Sequence, residues 1–206
     1  MALAGMAAAP LTRAQHARPE SHSEYIQFLE DPKRAEWQKP AEVLAKLSLK
    51  PGETVADLGA GSGYFTLLFA KAVGPQGKVY AIDVLPEMLD CIRDRAQADG
   101  VKNIQLVQAQ PHDPELPPAS VEMIFICDTL HHISSRPAYY PLLAKALRPG
   151  GRLVNVDFYK KPLPVGPPPE MKIDKHDMIE EAKAAGFYVV QDFDFLPYQY
   201  FLIFQQ

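Results

Sequence analysis

Ten residues, Val55-Ala56-Asp57-Leu58-Gly59-Ala60-Gly61-Ser62-Gly63-Tyr64, constrain this chain more than any other stretch. Val55 to Leu58 reads as a short buried strand, set off by the turn signal Pro51-Gly52. Tyr64, Phe65, Leu67, Leu68 and Val73 then recur at helical spacing. Between strand and helix, Gly59, Gly61 and Gly63 fall where the chain must turn sharply. Glycine suits such a turn because it accepts positive φ and lets a ligand approach the backbone closely. Strand, glycine turn and helix in this order open a doubly wound α/β sheet, with its ligand beyond the strand's carboxyl end. The first N–H groups of the following helix lack intrahelical partners and can meet a polar ligand there.

The spacing departs from the dinucleotide fingerprint G-x-G-x-x-G/A. Its third small residue arrives one place early, and Tyr64 stands where a small side chain would allow close helix–strand packing. Asp57, at the strand's end, suits an ammonium group or ribose hydroxyls better than a pyrophosphate. The pattern Asp57-x-Gly59-x-Gly61-x-Gly63 resembles motif I of the class I S-adenosylmethionine (SAM)-dependent methyltransferases. The resemblance implies SAM as cofactor, with Asp57, Gly59, Ala60, Gly61 and Gly63 around it. It also implies a Rossmann-like, mostly parallel seven-stranded sheet with a C-terminal antiparallel hairpin strand.

Downstream residues extend that reading. Lys78 to Ile82 is predicted as the second strand, ending at Asp83, about twenty residues beyond Gly63, where an acid can bind ribose hydroxyls. Asp83 and Val84 are therefore cofactor candidates. Pro86 opens the next helix, with Met88, Leu89 and Ile92 inward, and Asn103 to Gln108 is the third strand. In the resembling family an acid or amide after this strand contacts the adenine amine. Here the usual Gly-Asp pair is missing, and Gln110 or Asp113 is the candidate. Val121 to Cys127 is an apolar run broken only by Glu122, as suits a central parallel strand. It delivers Asp128-Thr129-Leu130-His131-His132 to the same edge. A helix from Pro137 to Leu147, the turn Arg148-Pro149-Gly150-Gly151 and a fifth strand from Arg152 to Phe158 follow. From about residue 40 to 160 the chain is similar to small-molecule methyltransferases of the ubiquinone/menaquinone C-methyltransferase type.

The flanks are read more coarsely. Glu24 to Glu30, Asp31-Pro32 to Trp37, and Pro40 onward are predicted as short helices forming a lid over residues 22–48. Trp37, the single tryptophan, is either a lid anchor or a packing plug. Residues 1–21 read as a disordered tail, with the remnant of an export signal as the alternative to a cytoplasmic chain. Residues 22–206 are expected to form one domain. The stretch Lys161 to Pro169 is proline-rich and stiff. Asp174 is a cap for a helix from Lys175 to Ala185, and strands Phe187 to Phe193 and Tyr198 to Phe204 make the hairpin.

Composition excludes more than it assigns. A net charge of −4 with no basic run gives no electrostatic footprint for nucleic acid. No apolar run is long enough for an integral membrane segment. Cys91 and Cys127 read as buried thiols, and His131-His132 is not metal-ligand spacing, so no metal is expected. The oligomeric state is left open.

The function these readings predict is methyl transfer from SAM to a small molecule. His131 or His132 is the candidate base, because imidazole titrates near neutrality, and Asp128 is placed to orient it or to contact cofactor. Asp157 and Tyr159, with Tyr25 and Trp37 from the lid, are candidate substrate residues, the rings by cation–π attraction to a sulfonium. A non-catalytic SAM-binding module is the alternative. A nicotinamide oxidoreductase is disfavoured by Tyr64 and Asp57.

Overall fold

The computed structural model describes residues 21–206. The expected tail and its export-signal alternative lie outside the described residues, except for Ser21. That residue is the N-cap of α1 (His22–Leu29), its hydroxyl accepting from Glu24 N at 3.3 Å. Two more short helices follow, α2 (Arg34–Gln38) and α3 (Pro40–Leu47). Asp31 does not cap α2 directly. Its carboxylate accepts from Lys33 N at 2.9 Å and so closes the turn before the helix. Lys39, left-handed at φ 45°, reverses the chain between α2 and α3, and Pro40 at the first position of α3 needs no N–H partner.

The strands are β1 (Thr54–Leu58), β2 (Lys78–Asp83), β3 (Ile104–Gln108), β4 (Val121–Cys127), β5 (Leu147–Phe158), β6 (Tyr188–Phe193) and β7 (Gln199–Gln205). The interleaved helices are α4 (Thr66–Val73), α5 (Pro86–Ala98), α6 (Arg136–Ala146) and α7 (Lys175–Ala184). All seven strands join one sheet in the order β3-β2-β1-β4-β5-β7-β6. Pairings through β5 are parallel, and β7 is antiparallel to both β5 and β6. The order reverses between β1 and β4, which places a crevice at their carboxyl ends.

Both faces of the central strands are buried, and alternate residues serve opposite layers. Ile124 and Ile126 of β4 pack with Tyr139, Tyr140 and Leu143 of α6 and Met178 of α7. Met123 and Phe125 pack with Phe65, Phe69 and Val73 around α4 and with Val43 and Leu47 of α3. Phe65, Phe69 and Phe125 form a ring cluster with centroids 4.8–5.7 Å apart. The near-continuous apolar run of β4 is what a two-sided parallel strand requires.

One expected boundary moves. β5 starts at Leu147 rather than Arg152, because Leu147 already pairs with Val121 before the register jumps to Met123 opposite Arg152. The residues between bulge outward, and Gly151 is needed there. A Cβ on it would lie 2.8 Å from the Arg148 carbonyl oxygen. No helix among the described residues is long and apolar enough to cross a membrane.

Candidate active site

The glycine loop is positioned by backbone contacts with the neighbouring strands. Gly59 N and Ala60 N both donate to Ile82 O, at 2.8 and 2.9 Å. Gly59 has φ 75°, and a Cβ on it would come within 2.7 Å of Thr129 Cβ, so the loop after β4 fills the space a side chain would take. Gly63, at φ 84°, abuts Ile92 of α5 in the same way. Asp57 is buried, and its carboxylate accepts from Thr66 Oγ1 at 2.6 Å, which ties the end of β1 to the first turn of α4. Burial pushes the Asp57 carboxyl up to about 7 against the opposing pull of the Thr66 hydrogen bond and the Arg34 charge.

Asp83 stands at the end of β2, as expected. Its two oxygens accept from Gly61 N at 2.8 Å and Leu85 N at 3.0 Å. Each carboxylate oxygen has a second lone pair, so a ribose hydroxyl can still donate to it. Val84 beside it is 46% exposed, an apolar surface open at the crevice. Gln110 is exposed, and its backbone closes a small turn with Asp113. The residues present fit SAM. Side-chain-free glycines cradle the crevice, a carboxylate sits at the ribose position of the fold, and an uncovered apolar side chain lies next to it. Gly59, Ala60, Gly61, Gly63, Asp83, Val84 and Gln110 would hold it, while Asp57 braces the loop from behind.

The N-terminal helices close over this loop. Glu30 accepts from Ser62 Oγ and from Arg95 Nη1, both at 2.5 Å, and a Cβ on Gly61 would lie 3.1 Å from Leu29 Cδ1. Arg34 stacks 4.2 Å above the Tyr64 ring and bonds Gln38 Oε1. Gln38 is fully buried, and its amide donates to Gln199 Oε1 at 3.1 Å, with Asp128 Oδ2 at 3.4 Å and Cys127 Sγ at 2.9 Å also in reach. Tyr25 lies half-buried on α1. Trp37 packs against Phe158 and Tyr198, with centroids 5.6 and 6.4 Å away, so it holds α2 against the end of β5 and the residue before β7.

The histidine pair divides its roles. His131 Nδ1 lies 3.0 and 3.1 Å from the two oxygens of Asp157, which is fully buried and also accepts from Phe158 N. His132 is exposed and packs its ring 4.2 Å from that of His131. Burial pulls the His131 imidazole down, but the hydrogen bond and charge of Asp157 outweigh it and raise the group above its usual value. The expected orienting acid was Asp128, and the structure assigns that contact to Asp157 instead. Asp128 sits at φ 52° after β4, its oxygens taken by the amides of Gln199, at 2.6 Å, and Gln38. Burial first, and the nearby Asp157 charge second, push the Asp128 carboxyl up to about 6. Tyr159 meets Tyr200 edge-on and carries the Lys161 ammonium 5.3 Å from its ring.

Three buried polar residues of this edge, Gln38, Gln199 and Lys172, were not singled out in the sequence. Each lies in a segment whose local pattern is unremarkable, and burial of a glutamine amide leaves no periodic signal.

Comparison with known proteins identifies similar sequences and structures. A family model described as a methyltransferase domain matches residues 55–151. A ubiquinone/menaquinone biosynthesis C-methyltransferase from Vibrio campbellii is 34% identical over 112 residues, 54% of this chain and 43% of that protein. The chain thus spans less than half the length of that curated relative. The crystal structure of a SAM-dependent methyltransferase from Aquifex aeolicus is 31% identical, with a TM-score of 0.84 over 89% of this chain and 97% of that one. A type 11 methyltransferase structure from Sulfolobus solfataricus, 21% identical with a TM-score of 0.68, covers 81% of this chain and 91% of its own and shares the fold.

Proposed function

Since the chain belongs to the SAM-dependent methyltransferases, we propose that it transfers a methyl group to a small-molecule acceptor, with His131 as base and Asp157 as its orienting partner. SAM, the cofactor of the family, supplies the methyl carbon and its own leaving group. The residues of this chain supply position and a proton acceptor. The glycine loop and Asp83 fix one side of the crevice, and the buried His131–Asp157 pair fixes the other. With Nδ1–H committed to Asp157, Nε2 keeps its lone pair for a proton from the acceptor, and the Asp157 charge stabilises the resulting imidazolium. Positioning alone is worth several kcal/mol, on the order of 7–11 for well-aligned partners. The negative net charge supports a small molecule over nucleic acid.

The observation that carries this reading is the carboxylate on His131 Nδ1 at the edge the glycine loop also faces. His131→Ala is expected to lose ~10²–10⁴ in turnover while still binding SAM, and His132→Ala to stay near normal. The rate should rise with pH as His131 deprotonates, with a midpoint above the ordinary imidazole value. Asp157→Asn should move that limb to lower pH and slow turnover. Full turnover by His131→Ala would remove proton transfer from the reading. Absence of both SAM binding and methyl transfer in the wild type would remove the reading itself.

A further inference from the structure

A polar cavity of about 320 Å³ opens beside His131, at the lower end of the range for small-ligand sites. Its charged groups are sorted by depth. Glu170, Asp174 and Asp177, and the cation Lys160, are exposed on the rim, where water screens them. Arg136 and Glu181 neutralise each other through two 2.7 Å hydrogen bonds. Lys172 and the His131 side chain line the same cavity but are nearly fully buried, at 4% and 3% exposure. The Lys172 ammonium donates to Lys161 O at 2.9 Å and lies 5.6 Å from the centre of the Phe158 ring. That hydrogen bond uses one of its three N–H groups. A buried ammonium with donors to spare, lining the same cavity as a base, is a poor structural brace and a good anion receptor.

We propose that Lys172, with His131 lining the same cavity, selects acceptors that carry an anionic oxygen, held at the buried side of this cavity. This rests on the acceptor site assigned above. The anion is either a carboxylate already ionised in solution or an acidic hydroxyl ionised on the protein. In the second case the O–H bond breaks, its proton goes to His131 Nε2, and the oxygen keeps the electron pair beside the ammonium. Burial lowers the Lys172 affinity for its proton, opposed by the charges of Asp157 and Asp128, and a bound anion would restore it.

Two matched probe pairs test this on the full chain, with and without S-adenosylhomocysteine. One is benzoate against benzamide, and the other is para-nitrophenol against para-nitroanisole, followed by calorimetry and ligand-observed NMR. The expected result is about tenfold or greater preference for the anionic member of at least one pair. A benzoate preference identifies a resident carboxylate. A nitrophenol preference in which the anion's absorbance grows on binding, read at a pH where the free phenol is mostly protonated, identifies a hydroxyl ionised at the site. Lys172→Met, which keeps the stem over Phe158, should abolish the preference, and Lys172→Arg should keep much of it. Both variants should leave the urea midpoint and S-adenosylhomocysteine affinity near wild type. Equal binding within both pairs, no binding of either anion, or a preference that survives Lys172→Met overturns the proposal. Loss of S-adenosylhomocysteine binding in the wild type would strike the proposed function instead, because the cofactor-free arm still reads the cavity.

Discussion

The loops after β1 and β4 meet in one crevice but are built from different material. The first is backbone. Gly59, Gly61 and Gly63 turn the chain tightly, their N–H groups bonded to Ile82 O, Asp83 Oδ2 and Ala60 O, and their geometry is set by positive φ and by contact with Thr129, Leu29 and Ile92. The second is side chain. Gln38, Asp128, His131, Asp157 and Gln199 come from four separate elements or loops and form two buried hydrogen-bonded groups, Gln38–Asp128–Gln199 and His131–Asp157. The difference teaches how the two jobs are met. A cofactor shared across a family can be held by a local turn. Proton transfer to a particular acceptor needs buried acids and bases, which only the assembled fold can gather.

The largest break in this comparison should come from the backbone half. Gly59→Ala places a methyl group where Thr129 already packs, at a φ of 75° that alanine resists. Overpacking and strain together should cost about 2–4 kcal/mol, with SAM binding lost. Urea denaturation and calorimetry measure both. Thr129→Gly in the same chain should recover part of the stability, because it removes the colliding side chain. No recovery would place the penalty in the backbone conformation alone.

Asp83→Ala sharpens the comparison at a smaller scale. In the crevice this carboxylate would bind ribose, and SAM affinity should fall at least about tenfold. The same oxygens hold Gly61 N and Leu85 N, so the loop also loosens, at about 1–3 kcal/mol. Asp83→Asn keeps an acceptor for one of the two N–H groups and should fall between wild type and alanine. Unchanged SAM affinity in a stably folded Asp83→Ala would make the residue a structural cap of the turn.

The same contrast decides what the sequence could reveal. The glycine turn from Asp57 to Gly63 was legible because its conformation is local, and the place of Asp83 at the end of β2 because its distance along a βαβ unit is set by the fold. The strands and the C-terminal hairpin followed from apolar runs and turn residues, to within a residue or two at most ends. The start of β5 was misplaced because Pro149-Gly150-Gly151 signals a turn, and a bulge inside a strand uses the same residues. In the side-chain half, His131 and Asp157 were named separately, but their pairing is a matter of β5 lying beside β4. Asp128, adjacent in sequence to the histidines, looked the nearer partner. Its left-handed backbone turns it to Gln38 and Gln199 instead. The lid's contribution through Gln38 was invisible, since a glutamine before Lys39-Pro40 reads as surface.

The smallest effect separates the two halves by their protons. Asp57 in the first half is raised to about 7 and Asp128 in the second to about 6, both mainly by burial. Over the range between the ordinary carboxylate value and these, the folded state holds protons that the unfolded chain has released. Stability must then fall as pH rises through that window. His131, also raised, adds in the same direction, because its contribution is complete below the unfolded value and lost as pH passes the folded one. The cofactor-free protein should therefore lose stability between pH 5 and pH 8, read from urea midpoints. Asp57→Asn is the cleaner probe, since its amide oxygen can still accept from Thr66 while the buried charge is gone. It should flatten the upper part of the slope and raise stability at pH 8. Asp128→Asn is less clean, because an amide there turns a donor toward the amides of Gln38 or Gln199. A slope that survives Asp57→Asn unchanged would place the buried protons on the Asp128–His131 side, and a stability that rises from pH 5 to pH 8 would refute the assignment of raised carboxylates to either half.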